Sequence, residues 1–101
     1  MHEILEQLYE YFPTSVKTGE YLLIVSDVWK IKISVYKRSN YSIFNSSGTR
    51  VKVQLFEMNE DNEFMPGASQ DFTIANIPEL AEQIERYITF VVAENIKEQG
   101  N

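Results

Sequence analysis

Four carboxylates crowd into one short stretch of the chain, EMNEDNEF at 57–64. Carboxylate oxygens are the preferred ligands of Ca²⁺ and Mg²⁺, so such a cluster could hold a hard cation. The calcium-loop spacing of EF-hands is absent, however, because Asp61 is followed by Asn62 and no glycine comes before Gly67. We therefore expect a solvated polar loop and no metal site. The acidic residues are Glu57, Glu60, Asp61 and Glu63.

Groups suited to catalysis are scarce. The one histidine is His2, and there is no cysteine. A chain terminus usually frays, so His2 would be a poor general base, and a Ser/His/Asp triad would have to use it. The GxxxxGK[ST], GxGxxG and HExxH motifs are absent. We therefore expect no enzymatic activity, no catalytic residues and no cofactor.

A basic row with aromatic residues is predicted on one face of a sheet. The segment VWKIKISVYKR at 28–38 alternates between apolar and polar residues, as does RVKVQLFEM at 50–58. Basic groups interleaved with rings suit single-stranded nucleic acid. No RNP-type motif is present, however, and the pI of 4.7 is the reverse of that of a typical nucleic-acid binder. This alternative basic sheet face comprises Lys30, Lys32, Tyr36, Arg38, Arg50 and Lys52.

A second candidate surface is acidic and lies on the predicted C-terminal helix. A negative helix face can dock in a basic groove, with carboxylates standing where phosphates would sit. Aromatic residues at the margin of a polar face are typical anchors for a partner protein. An ordinary solvated helix face is the simpler interpretation. The candidate partner-binding residues are Glu79, Glu82, Glu85, Tyr87, Phe90 and Glu94.

These surfaces depend on a predicted order of two helices and several strands. A helix is predicted at 2–12 and is ended by Pro13. The last helix is predicted from an N-cap at Asn76 to about Glu98, with Glu79 as the capping-box partner of Asn76. Short connections between the strands indicate an antiparallel meander of four to five strands. We predict an α+β fold with both helices packed on one sheet face. The predicted strands are 20–26, 28–38, 41–44, 50–58 and about 70–75, the last after a break at Pro66-Gly67.

Composition bounds the class of protein. The 101 residues fit a single α+β domain over 1–101, and the net charge is −6. Seven of the nine basic residues lie in 17–52 and ten of the fifteen acidic residues in 53–101, so the charge is uneven. No apolar run is long enough to span a membrane. The first residues include Glu3, Glu6 and Glu10, where a signal peptide would have a basic start followed by an apolar run. We expect a cytoplasmic location and no membrane partner.

Taken together, these features favour a non-enzymatic protein–protein interaction module. In format, as a small, acidic, cysteine-free sheet-and-helix domain, the chain is similar to phage-encoded inhibitors of bacterial defence systems, bacterial immunity proteins and secretion chaperones. That likeness implies a phage or bacterial accessory protein. The most specific hypothesis is an inhibitor that occupies a basic nucleic-acid-binding groove of another protein. The alternatives are a single-stranded nucleic-acid binder, which we do not favour, and a structural homodimer or chaperone-like accessory protein.

Overall fold

A computed structural model of the chain describes residues 2–37, 49–74 and 76–99. Among these residues, five strands form one sheet in the order β1-β2-β3-β4-β5, and each neighbouring pair is antiparallel. The predicted α+β meander is confirmed. The predicted strand at 41–44 lies outside the described residues, as does Arg38. The elements are α1 (His2–Tyr9), β1 (Val16–Lys17), β2 (Tyr21–Val25), β3 (Trp29–Lys37), β4 (Thr49–Met58), β5 (Phe64–Thr73) and α2 (Ile77–Gln99).

The register of β3 and β4 places their apolar residues on one face. Ile33 lies opposite Val53, and directly opposed residues of an antiparallel pair point to the same side of the sheet. The predicted inner rows are confirmed as buried, except that Trp29 is only half-buried. The buried residues of the two strands are Ile31, Ile33, Val35, Val51, Val53 and Leu55.

Both helices pack on this apolar face. Leu5 and Leu8 of α1 and Leu80 and Ile84 of α2 belong to the same buried cluster as the inner residues of the strands. Burying each such side chain contributes about 1.5–3 kcal/mol, so these apolar contacts are the main interaction that holds the helices on the sheet. Among the described elements, no helix covers the opposite side, which we call the open sheet face.

The first helix is shorter than predicted. The spacing of its apolar residues and Pro13 predict a helix over 2–12, but α1 ends at Tyr9. The amides of Tyr11 and Phe12 donate to carbonyls three residues earlier, at 2.9 and 3.1 Å, so the chain tightens into turns before the proline. Phe12 remains buried despite this. Residues Val16–Lys17 then pair with β2 as a short edge strand that we did not predict.

The last strand is longer than predicted and contains Pro66 and Gly67, where we expected a break. A proline is tolerated because β5 is an edge strand with only one neighbour to satisfy. The register shifts between Gln54 and Phe56, and Gln54 Nε2 donates to the carbonyl oxygens of Gly67 and Ala68, at 2.9 and 3.3 Å. This side chain therefore satisfies carbonyls beside the irregular pairing and lets the strand continue.

Three residues of the carboxylate cluster, Glu60, Asp61 and Glu63, lie in the turn between β4 and β5, and Glu57 lies in β4. Asn59 Oδ1 accepts hydrogen bonds from the amides of Asp61 and Glu63, and Asn62 adopts a φ of 62°. Both are typical of asparagine in tight turns. Within the described residues, no three His, Cys, Asp or Glu side chains converge as a metal site would require.

Among the helices of the described residues, none is long and apolar enough to cross a membrane.

Candidate protein-binding site

The candidate site is built on α2, and its first turn is fixed by the side chain of Asn76, which acts as the N-cap. Asn76 Oδ1 accepts a hydrogen bond from the Glu79 amide at 2.9 Å, and Asn76 Nδ2 donates to Glu79 Oε2 at 3.0 Å. The predicted N-cap is therefore confirmed, and the Glu79 carboxylate also suits the positive end of the helix dipole. Glu79 is exposed, but because it holds the helix start it is not a free docking group.

The outer side of α2 is acidic, as its sequence indicates. Glu82, Glu85 and Glu94 are all exposed, and the neighbouring cation, Arg86, forms an ion pair with Glu82 one turn away. Among the described residues, neither Glu85 nor Glu94 has an ion-pair partner. Both carboxylates are exposed to solvent. We call Glu82, Glu85 and Glu94 the acidic helix face.

Phe90 is the most exposed large apolar side chain of the described residues, at 63%. It follows Arg86 and precedes Glu94 by one helical turn each, so it lies among the charged groups and not in the core. A hollow of about 410 Å³ on one side of the ring is lined by Glu82, Glu85, Arg86, Thr89 and Phe90 itself. An exposed ring at the centre of a charged face is the feature expected of an anchor residue.

Tyr87, predicted beside Phe90 as a second anchor, has a different environment. Its ring meets that of Phe72 on β5 edge to face, with the centroids 5.9 Å apart, and it is half-buried. This burial raises the pKa of Tyr87 above its ordinary value, because the charged phenolate is disfavoured away from water. Tyr87 therefore ties α2 to the sheet, while Phe90 remains accessible.

A groove separates α2 from the edge strand β5, and Phe90 forms part of its wall. The groove encloses about 530 Å³. The predicted strand at 70–75 includes the groove residues of β5, but the sequence pattern does not show that α2 lies beside this strand, so the groove was not predicted. The available signal was the meander itself, whose last strand has only one neighbour in a sheet of sequential order. We call it the helix–edge groove; its lining residues are Gln70, Asp71, Phe72, Thr73, Gln83, Arg86, Tyr87 and Phe90.

The open sheet face brings together the other predicted group, apart from Arg38. Lys30 Nζ lies 4.2 Å from the centre of the Phe64 ring, and Lys32 Nζ lies 4.8 Å from that of Tyr21. Both lysines are half-buried, so the two rings are covered by cations of the same chain. The face also carries Tyr36 opposite Arg50, and Lys52 opposite Asp71.

This arrangement weakens the case for base stacking on the open sheet face. A nucleobase needs an exposed ring face for stacking, and a lysine ammonium group already lies over each of the Tyr21 and Phe64 rings. Asp71 opposes Lys52 across the β4–β5 pair, which reduces the positive charge offered to phosphates.

Comparison of the chain with protein-family models, curated proteins and solved structures finds no match.

Proposed function

We propose that the protein is a non-enzymatic module that binds a basic surface of another protein through the acidic helix face and Phe90. The observation that carries this proposal is the 63% exposure of Phe90 on a helix whose neighbouring surface is acidic. The apolar side of α2 packs in the core without Phe90, which is not part of the buried cluster. A partner that covers the ring would gain about 1.5–3 kcal/mol from its burial.

Charge supports a basic partner. The chain carries a net charge of −6, and Glu85 and Glu94, which have no ion-pair partner among the described residues, add carboxylates beside the anchor. Complementary charge speeds association and rejects acidic surfaces, whereas the buried ring supplies most of the residence time. The sharpest form of the proposal is an inhibitor: the carboxylates occupy phosphate positions in a nucleic-acid channel and the domain blocks entry. Displacement of the bound partner by single-stranded DNA tests that form.

The experiment compares proteins enriched from the native cells by wild type and by matched variants. Phe90→Ala removes the anchor, and the double variant Glu85→Lys/Glu94→Lys reverses the unpaired charges without touching the helix cap. Tyr11→Ala and Glu20→Lys are the controls, since both residues are exposed and lie outside α2. A partner retained by both controls and lost by both test variants supports the proposal. Equal enrichment by all five chains overturns it.

The open sheet face favours one second candidate, a single-stranded nucleic-acid binder. The supporting observation is that Lys30, Lys32, Arg50 and Lys52 share a face that no described helix covers. Fluorescence anisotropy with labelled single-stranded DNA and RNA at low salt tests it, because the electrostatic term is strongest there. Binding that disappears in Lys30→Ala/Lys32→Ala would support this candidate.

A structural homodimer is the remaining alternative. Light scattering coupled to size-exclusion chromatography measures the mass directly; the proposed module gives the 11.8 kDa of one chain, and a dimer twice that mass.

A further inference from the structure

β5 offers a backbone that its single neighbour does not satisfy. Among the described residues it pairs only with β4, and nearly all of its length is exposed to solvent. In an antiparallel pair, alternate residues direct their N–H and C=O groups away from the neighbour. An exposed edge of this kind is a ready template for another strand.

Only the second half of β5 is suited to accept a strand. Pro66 has no N–H, and the register shift between Gln54 and Phe56 interrupts the ladder in the first half. From Ser69 to Thr73 the pairing with β4 is continuous. These five residues therefore form a regular edge without a proline.

The helix–edge groove runs along this same regular edge. Gln70–Thr73 line one side, and α2 residues, including Tyr87 and Phe90, line the other. A strand laid beside β5 would turn alternate side chains toward α2, where the half-buried Tyr87 ring and the exposed Phe90 ring offer an apolar surface. A groove between an edge strand and a helix is the geometry used for strand addition by peptide-binding domains.

Negative charge near β5 favours basic residues at the other positions of the added strand. Asp71 lies on the open sheet face, since it pairs with Lys52, so residues of the added strand that do not face α2 would pass beside its carboxylate. On the helix side, Glu82 engages Arg86, and Glu85 has no ion-pair partner within the part of the chain that the structure describes. A second copy of this chain would bring a net charge of −6 to the same acidic surroundings, which argues against self-pairing.

We infer that the helix–edge groove binds an extended, basic segment of the partner as an additional strand beside Ser69–Thr73. Apolar side chains of the segment alternate with lysine or arginine and pack against Phe90 and the exposed part of Tyr87. This inference rests on the proposed function and specifies how the partner is held. Backbone hydrogen bonds supply affinity, and the groove and Asp71 supply specificity.

The probe is a displayed library of random peptides long enough to form one strand, about six residues or more, selected on the full chain at low salt. The best binder is synthesised, and its affinity is measured for wild type, Phe90→Ala and the Tyr11→Ala control. We expect Lys or Arg alternating with apolar residues, and an affinity loss of about tenfold or more in Phe90→Ala only. Selection of no peptide that depends on Phe90 overturns the inference.

Two further measurements test strand addition itself. N-methylation of alternate backbone amides of the peptide removes their hydrogen-bond donors without altering this protein. The peptide has two such alternating sets of amides, and we expect methylation of one set to abolish binding. Amide exchange in the complex should slow at alternate residues within 69–73, whose outward N–H groups become bonded. Full binding by both methylated sets, or unchanged exchange at 69–73, overturns strand addition. If the partner still requires Phe90 in that case, the proposed function stands and only its mode is wrong.

Discussion

The rings of Phe72 on β5 and Tyr87 on α2 meet edge to face, with centroids 5.9 Å apart and planes inclined by 71°. This pair joins the long helix to the edge strand. Edge-to-face packing contributes about 0.5–1.5 kcal/mol beyond the burial of the rings themselves. It also fixes the distance between the two walls of the helix–edge groove, so the accessible position of Phe90 depends on it.

Truncating Phe72 should destabilise the fold far more than truncating Phe90. Phe72 is buried, and a buried Phe→Ala change costs about 3 kcal/mol or more. Phe90 is largely exposed, so Phe90→Ala should change the free energy of unfolding by less than about 0.5 kcal/mol. Urea unfolding followed by circular dichroism measures both. Similar losses in the two variants would show that Phe90 is part of the core.

Stability should fall at alkaline pH partly because of Tyr87. Its pKa is raised in the folded state, so the unfolded chain loses its proton first as the pH passes the ordinary tyrosine value of about 10. Below that pH both states are protonated and the contribution is complete; above it the native state binds more protons and stability declines until the folded pKa is passed. Tyr87→Phe should flatten this decline in urea midpoints measured across that range. A decline as steep as in wild type contradicts the assignment.

Removing the helix cap should destabilise the fold without removing any carboxylate. Asn76→Ala deletes both hydrogen bonds between the Asn76 side chain and Glu79 and should cost about 1 kcal/mol. Asn76→Asp keeps the acceptor for the Glu79 amide, and its thermal midpoint should lie between those of wild type and Asn76→Ala. Thermal unfolding resolves the three chains. A wild-type midpoint in Asn76→Ala would mean that the cap adds nothing.

The open sheet face should not bind single-stranded nucleic acid. Lys30 and Lys32 already cover the Phe64 and Tyr21 rings, and the chain as a whole is negative. We expect no rise in anisotropy of labelled DNA or RNA even at low salt, where phosphate contacts are strongest. A salt-sensitive rise that Lys52→Ala reduces would contradict this expectation and favour the second candidate.

Periodicity predicted the parts of the fold that burial controls. The alternation around Ile31, Ile33 and Val53 identified the inner sheet face, and Asn76 with Glu79 identified the start of α2. A proline and a glycine predicted a break in β5, but the edge position and the Gln54 side chain overcame that local preference. Such compensation comes from a residue on another strand and cannot be read from local sequence.

The candidate site was predicted in its residues but not in its geometry. The helical wheel placed Tyr87 and Phe90 together at the margin of the inner stripe. Which of the two rings is covered depends on the position of β5, where the Phe72 ring packs against that of Tyr87. The same holds for Glu79, whose carboxylate was predicted both as a cap and as a docking group and is engaged by Asn76.

Photo-crosslinking from position 90 tests the central claim most directly. Benzoyl-phenylalanine is placed at Phe90 or, as the matched control, at Tyr11, another exposed aromatic residue, and the chains are irradiated in the native cells. We predict a crosslink to one basic protein from position 90 only, and its loss when Glu85→Lys/Glu94→Lys is added. No crosslink from position 90, or the same products from both positions regardless of the charge reversal, would contradict docking through the acidic helix face.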